Sequence, residues 1–267
     1  VGVSTSPYGS SALWSVAGGY APVGGLHLEA GIAQSMRLPT FTDLYYTSPA
    51  QINNLDLVPE RAVTYHVKAS YRKDCWNAAA QLYYRDGRNV IDWVWRADMG
   101  GKWHSEQANQ LDTYGAEISG GYTSERGILR RASLSYGYIS TSKRADVVTS
   151  SVLDYMKHKA SAAIEICFLR RMTLSVTGTL YDRNGAYTYY MRNADGSIQT
   201  NAEGNRVTEM RDCKPYFLLD GRLSWEKGAF RLYADATNIA NVDYFDFGGL
   251  SLPGRWVTAG VVITIGK

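Results

Sequence analysis

In segment after segment of this chain, every second residue is apolar. From Val63 to Tyr71, Val63, Tyr65, Val67, Ala69 and Tyr71 fall on one side, and Thr64, His66, Lys68 and Ser70 on the other. A period of two places such sets on opposite faces of a sheet. The pattern returns in Tyr114, Ala116, Ile118, Gly120 and Tyr122, in Ala160, Ala162, Ile164, Ile166 and Phe168, and in Met172, Leu174, Val176 and Leu180. The last segment carries it in Val257, Ala259, Val261, Ile263 and Ile265.

Read along the chain, this periodicity predicts about eleven strands, at 10–20, 25–38, 60–72, 75–94, 111–123, 129–141, 158–168, 171–190, 215–225, 229–239 and 255–265. Short turns fall near 21–24, 72–75, 124–127, 169–170 and 226–228, and long loops near 39–59, 95–110, 142–157, 191–214 and 240–254. Short and long connections alternate without a break. An outer-membrane β-barrel is sorted in this way, with tight turns at the periplasmic rim and long loops outside the cell. A soluble β-sandwich would alternate as well, but it has no reason to sort its connections. Nor would it set Tyr20, Tyr71, Trp76, Tyr122, Phe168, Trp225 and Phe230 beside the short turns, where a membrane interface favours amphipathic rings. The expected fold is all-β, an antiparallel transmembrane β-barrel.

Composition agrees with that expectation. Lys and Arg number 28 against 25 Asp and Glu, so no polyanionic nucleic acid is implied as a partner. No apolar run approaches the roughly 18 residues of a membrane helix. A mean hydropathy of -0.27 fits a barrel whose lipid-facing residues are hidden in alternation. Cys75, Cys167 and Cys213 share no motif spacing, so incidental free thiols are expected and no metal or cofactor is implied. An odd strand count is unexpected for a single-chain bacterial barrel, and an open barrel would leave backbone groups unpaired in lipid. The chain, which shows no signal peptide at Val1, is therefore expected to be part of a larger barrel.

Three stretches resemble the C-terminal half of a TonB-dependent outer-membrane receptor. Ser35-Met36-Arg37-Leu38-Pro39-Thr40-Phe41-Thr42-Asp43-Leu44-Tyr45-Tyr46 resembles the family's Arg-x-Pro run followed by an acidic residue, Leu and Tyr. Asn54-Leu55-Asp56-Leu57-Val58-Pro59-Glu60 resembles its Asn-x-x-Leu-x-Pro-Glu lead into the next strand, and Asn238-Ile239-Ala240-Asn241-Val242-Asp243-Tyr244 with Leu252-Pro253-Gly254-Arg255 resembles its last hairpin. The resemblance implies that residues 1–267 are the last eleven or so strands of a barrel of about 22, without the plug domain and TonB box. It implies active uptake across the outer membrane of a Gram-negative bacterium, with lipid, the plug and TonB as partners. A surface lipoprotein over the outer rim is a further partner that it allows. Haem receptors of the family usually carry a histidine between the two motifs, and none stands between Arg37 and Asn54. Glycan receptors tend to have larger loops. The preferred ligands are cobalamin or a ferric siderophore, with haem or a glycan as alternatives.

The polar sets of the alternation place His27, Glu29, His66, Lys68, Arg85, Glu117, Lys159, Glu165, Asp220, Arg222, Arg231 and Asp235 on the lumen face. Ionisable groups are costly in lipid but acceptable in a wet or plug-filled interior. Toward the outer loops lie Tyr45, Tyr46, Trp93, Trp95, Trp103, Tyr187, Tyr189, Tyr190, Phe245 and Phe247, whose rings suit a large rigid ligand. Two rival functions are a passive porin of about 12 strands and an outer-membrane enzyme. The enzyme reading has only His104-Ser105-Glu106 to offer. Neighbours in a loop are a poor triad, because nucleophile, base and orienter must form a hydrogen-bonded chain.

Overall fold

A computed structural model of the chain describes residues 1–96, 98–143, 155–169, 171–202, 204–245 and 251–265. The chain divides into two compact units, Val1–Gly120 with Gly137–Tyr155, and Gly121–Tyr136 with Met156–Lys267. Its strands are β1 (Gly2–Ser6), β2 (Gly9–Leu13), β3 (Ser15–Tyr20) and β4 (Leu26–Arg37), followed by a helix α1 (Phe41–Tyr45). Then come β5 (Gln51–Ile52), β6 (Glu60–Lys73), β7 (Trp76–Arg96), β8 (Lys102–Thr123), β9 (Leu129–Lys143) and β10 (Tyr155–Phe168). The last are β11 (Met172–Asn184), β12 (Ala186–Tyr190), β13 (Thr208–Asp212), β14 (Tyr216–Lys227), β15 (Phe230–Thr237) and β16 (Trp256–Ile263).

In the first unit β3, β4, β6 and β7 follow one another as an antiparallel meander. The register joins Val16, Ile32, Tyr65 and Tyr84 in one row, Gly18, Ala30, Val67 and Leu82 in the next, and Tyr20, Leu28, Ala69 and Ala80 in a third. Leu26, Tyr71 and Ala78 form a fourth row. These rows are the apolar set of the sequence. Many of their members lie open on the surface, with Tyr20 67% and Leu82 58% exposed. Water alone would not favour such a face, whereas hydrocarbon would.

Rings bound this face at both levels. Tyr65 and Tyr84 stack at 6.1 Å and Tyr84 meets Tyr114 at a tilt at 4.9 Å, while Tyr20, Tyr71 and Trp76 stand beside the short turns. From Tyr84 to Trp76 a strand advances about 26 Å, close to the apolar band of a membrane barrel. Sequence reading found the girdle at the short turns and missed the second one. Its signal was there for Tyr65 and Tyr114, which stand on apolar faces near the long-loop ends, whereas Tyr84 falls midway along the strand expected at 75–94.

In the second unit β11, β14, β15 and β16 pair antiparallel in chain order. Met172, Trp225, Leu232 and Val261 form one row of the apolar face, and Leu174, Leu223, Ala234 and Ala259 the next. Phe217 opposite Leu180 sits toward the far end.

The expected boundaries need four corrections. The strand expected at 10–20 breaks at Trp14, whose carbonyl accepts the Gln34 amide at 2.9 Å while its indole donates to Gln34 Oε1 at 2.7 Å. Residues before the break pair as the β1–β2 hairpin instead. The loop expected at 95–110 is mostly strand, since β7 runs to Arg96 and β8 starts at Lys102. Residues 102–110 are mostly polar on both faces, Trp103 and Ala108 apart, so alternation could not reveal them. The strand expected at 171–190 ends at Asn184, because Gly185 takes φ 116° and redirects β12 to pair with β13 inside the expected loop 191–214. Finally, α1 sits inside the expected loop 39–59, held by a capping box in which Thr40 Oγ1 accepts from the Asp43 amide and Asp43 accepts from the Thr40 amide.

Small residues notch the polar face so that large ones can lie across it. A Cβ on Gly115 would overlap the Tyr83 ring, and one on Gly260 would overlap Tyr233 at 2.5 Å. We expect Gly115→Ala to destabilise the fold by about 1–3 kcal/mol through overpacking, with Tyr83→Ala in the same chain removing most of that cost. Heat-modifiability of the protein on unboiled gels, measured for each single variant and the pair, checks this coupling.

Candidate functional site

The family-like motifs converge on one cluster at the outer end of the first unit. β4 ends at Arg37, five residues beyond the Ile32–Tyr65–Tyr84 row. Its guanidinium bonds Glu60 Oε1 at 2.6 Å and lies 3.5 Å from Asp43 Oδ2. Both carboxylates are largely buried, at 11% and 9% side-chain exposure. Glu60 Oε1 also accepts the Ile91 amide at 2.7 Å. The carboxylate of Glu60 pushes the Arg37 pKa further above its usual high value. The backbone closes the cluster, because the Asn54 amide donates to the Asp43 carbonyl at 3.3 Å and Asn53 Nδ2 to that of Leu44. Leu57, Ala62, Val90, Ile91 and Val94 are buried around it. The motif is thus a latch that fastens the 38–59 connection onto the ends of β4, β6 and β7.

Two aromatic groups stand near the outer ends. In the first unit Trp95 and Trp103 meet edge to face at 5.6 Å, while Tyr45 packs on Phe41 at 4.9 Å. Tyr45 and Tyr46 are exposed and Trp93 half-buried. In the second unit Tyr187 stacks on Phe245 at 4.8 Å, Arg211 lies 3.6 Å over the ring of Tyr189, and Arg206 lies 5.7 Å from that of Tyr190. Phe247 lies outside the described residues.

A further group escaped sequence reading. Tyr181 stacks on Tyr216 at 5.0 Å, Tyr216 meets Tyr244 at 4.9 Å, and the Lys159 ammonium sits 5.4 Å from the Tyr181 centroid. Tyr216 and Tyr181 are cross-strand partners on the polar face. Tyr181 and Tyr216 stand 35 positions apart, so only the register brings them together.

The charged residues expected in the lumen all lie on the polar faces. His66 Nε2 is 3.2 Å from Glu29 Oε1, and Lys68 stands opposite Glu29 in the register. His27 faces Ser70 and Arg85 faces Thr64, while Glu117 shares the face of Gly115, against which Tyr83 lies. In the second unit Arg222 Nη2 donates to Asp235 at 2.8 Å and Arg231 Nη2 to Glu226 at 3.0 Å. Asp220 accepts the Asn238 amide at 2.8 Å, and Glu165 accepts from Ser175 Oγ at 3.4 Å. Among the described residues Cys75, Cys167 and Cys213 form no disulfide.

His104-Ser105-Glu106 is not a catalytic chain. Along β8 Ser105 points away from its two neighbours, it is 1% exposed, and Glu106 is committed to Arg96 through Nε at 2.7 Å.

Paired antiparallel strands with an apolar and a polar face, flanked by rings and joined by long connections, define the class in each unit: an outer-membrane type of β-barrel. The model for the TonB dependent receptor-like β-barrel matches residues 2–239, and the chain belongs to that family. The family is one of transport receptors, not enzymes. Among solved structures the chain is similar to the copper transporter OprC, with a TM-score of 0.71 and 15% identity over 95% of this chain and 40% of that one. It is similar to a mutant of the ferric enterobactin receptor PfeA from Pseudomonas aeruginosa, with a TM-score of 0.68 and 16% identity over 96% of this chain and 40% of that one. The siderophore receptor PirA from Acinetobacter baumannii gives 0.68 and 15% over 96% and 41%. The chain thus spans about 40% of the length of these relatives. No curated protein matches the sequence.

Removing the Arg37 side chain leaves two largely buried carboxylates uncompensated. We expect Arg37→Ala to cost about 2 kcal/mol, below the usual 3–5 for a buried pair because Arg37 itself is half exposed. Limited proteolysis should then cut within residues 38–59, with Arg37→Lys intermediate.

In the turn at Asp195 the carboxyl is held below its ordinary 3.8 by the Ser197 hydroxyl and then by the Ser197 amide. A depressed carboxyl contributes stability above its unfolded value and loses it as pH falls through the folded one. Amide exchange at Ser197 should therefore stay slow through pH 3.8 and quicken only below it.

Proposed function

We propose that this chain is the C-terminal part of the barrel of an outer-membrane receptor that takes up a scarce, large nutrient with energy passed on by TonB. The observation that carries the reading is the two-faced sheet: an exposed apolar face between two levels of rings, and a polar face of paired charges behind it. In the first unit β3 pairs on one side only among the described residues. An unpaired edge in hydrocarbon costs several kcal/mol per group, which supports further strands beside it, as does the roughly 40% span of the relatives.

On this reading the polar face borders the lumen, and its charges hold a plug domain through bonds that water can replace. The rings that meet a ligand first on this reading are Tyr45, Tyr46, Trp93, Trp95 and Trp103 in the first unit, or Tyr187, Tyr189, Tyr190 and Phe245 in the second. Stacking surfaces flanked by Arg206, with Arg211 already paired to Glu209 at 2.9 Å, suit a large ligand with aromatic or anionic groups. A ferric siderophore fits this better than cobalamin, which carries little negative charge. PfeA is named as a ferric enterobactin receptor and PirA as a siderophore receptor, which supports the same choice.

Uptake of radiolabelled ferric siderophores and of cobalamin, by cells carrying the intact gene, tests the proposal. Uptake should cease when TonB is deleted or the proton-motive force collapses, whereas a passive porin would be indifferent to both. Trp95→Ala with Trp103→Ala should weaken binding of the transported ligand about tenfold or more, given about 0.5–1.5 kcal/mol for each aromatic pair beyond its buried area.

A further inference from the structure

The outer end of the first unit's apolar face carries an arrangement that lipid contact alone does not explain. Arg61 of β6 and Arg88 of β7 are direct cross-strand partners on that face, and both are exposed. Like charges directly opposite one another destabilise a strand pair. Asp86 offsets one of them, accepting from Arg88 Nη2 at 3.1 Å and Nε at 3.3 Å, while its other oxygen accepts from Gln110 at 3.4 Å. Among the described residues Arg61 bonds the Ser11 hydroxyl at 3.4 Å and no carboxylate. One positive charge of the pair is therefore not offset among the described residues.

Below this pair, past the Val63–Asp86 step, comes the Tyr65, Tyr84 and Tyr114 shelf. Against the shelf lies an apolar depression of about 880 Å³, lined by Tyr65, Tyr84 and Tyr114 themselves and by Ala30, Val67 and Leu82. No atom stands within 4 Å of where a Gly18 Cβ would be. From Arg61 to Tyr65 the strand advances about 13 Å, and an arginine stem can lie along apolar surface while its head stays in the polar layer.

We propose that this face binds one phosphorylated lipid of the outer leaflet, its phosphate held by Arg61 and Arg88 and an acyl chain lying in the depression. The guanidinium fork matches phosphate oxygens, and the anion removes the repulsion between the paired arginines. A free phosphate would use the arginines and leave the depression unfilled, so the two features together point to a lipid. The inference rests on reading this face as membrane-facing.

Native mass spectrometry of the intact receptor, released from detergent micelles, tests it with lipid A as the probe. We expect one lipid A bound per receptor. Removing its phosphates enzymatically should weaken that binding tenfold or more, as should R61Q with R88Q, taking roughly 1.5–3 kcal/mol for each charge-assisted bond. Filling the depression with Ala30→Phe should weaken it with both arginines intact. Equal binding by the double variant or of the dephosphorylated lipid overturns the proposal, as does full displacement by inorganic phosphate. If the double variant does not fold, the dephosphorylated lipid on the unaltered receptor decides. A receptor that sheds its micelle and stays soluble and folded overturns the membrane reading itself, a result distinct from a folded barrel that ignores lipid A.

Discussion

Backbone pairing between neighbouring strands is what the rest of this structure depends on. In hydrocarbon no water can satisfy an amide or a carbonyl, so strands can cross only as a continuous ladder. From Leu26–Tyr71 to Arg37–Glu60, and from Arg61–Arg88 to Lys73–Trp76, the ladder is unbroken. Once it is fixed, side chains must alternate, and a slip of one residue would send His66 and Lys68 to the face of Val67 and Ala69. The glycine notches follow from the same constraint. Tyr83 and Tyr233 can lie flat along the polar face only where Gly115 and Gly260 leave room.

Alternation made the crossing segments legible, because burying or wetting a face acts on every second residue. It failed where that selection is absent. The outer part of β8 is mostly polar on both faces and looked like loop. β12 and β13 are short and pair as a separate two-stranded sheet, so no long apolar set announces them. Gly185 marked the break, but a glycine inside an alternating run also fits a bulge. The Thr40–Asp43 spacing was a readable helix start. It was masked by a five-residue helix too short to show a period.

For the candidate site, local features were legible and pairings were not. Sequence could name Trp95, Trp103 and Tyr187 as outward rings, since each stands near a predicted loop. It could not tell that Phe245 is the partner of Tyr187, or that Tyr181, Tyr216 and Tyr244 form a stack with Lys159. Those contacts join strands and loops far apart in the chain, and register alone sets them. The motif around Arg37 shows the opposite case. It was recognisable as a pattern, yet its physical content appears only when Glu60 is seen to accept from both Arg37 and the Ile91 amide.

Two kinds of ion pair therefore occupy different places for different reasons. On the polar face Arg231 and Glu226 are each more than half exposed, at 55% and 58%. Such pairs are worth little against water, and they can be remade with a new partner at small cost. The latch carboxylates are nearly closed off, so losing Arg37 would leave buried charge without compensation. On the proposed reading this division is what a gated receptor needs. The wall of the passage holds its plug by exchangeable bonds, while the outer connection that carries Tyr45 and Tyr46 stays fastened to β4, β6 and β7. A pull transmitted from inside could then free the passage without loosening the surface that first meets the ligand.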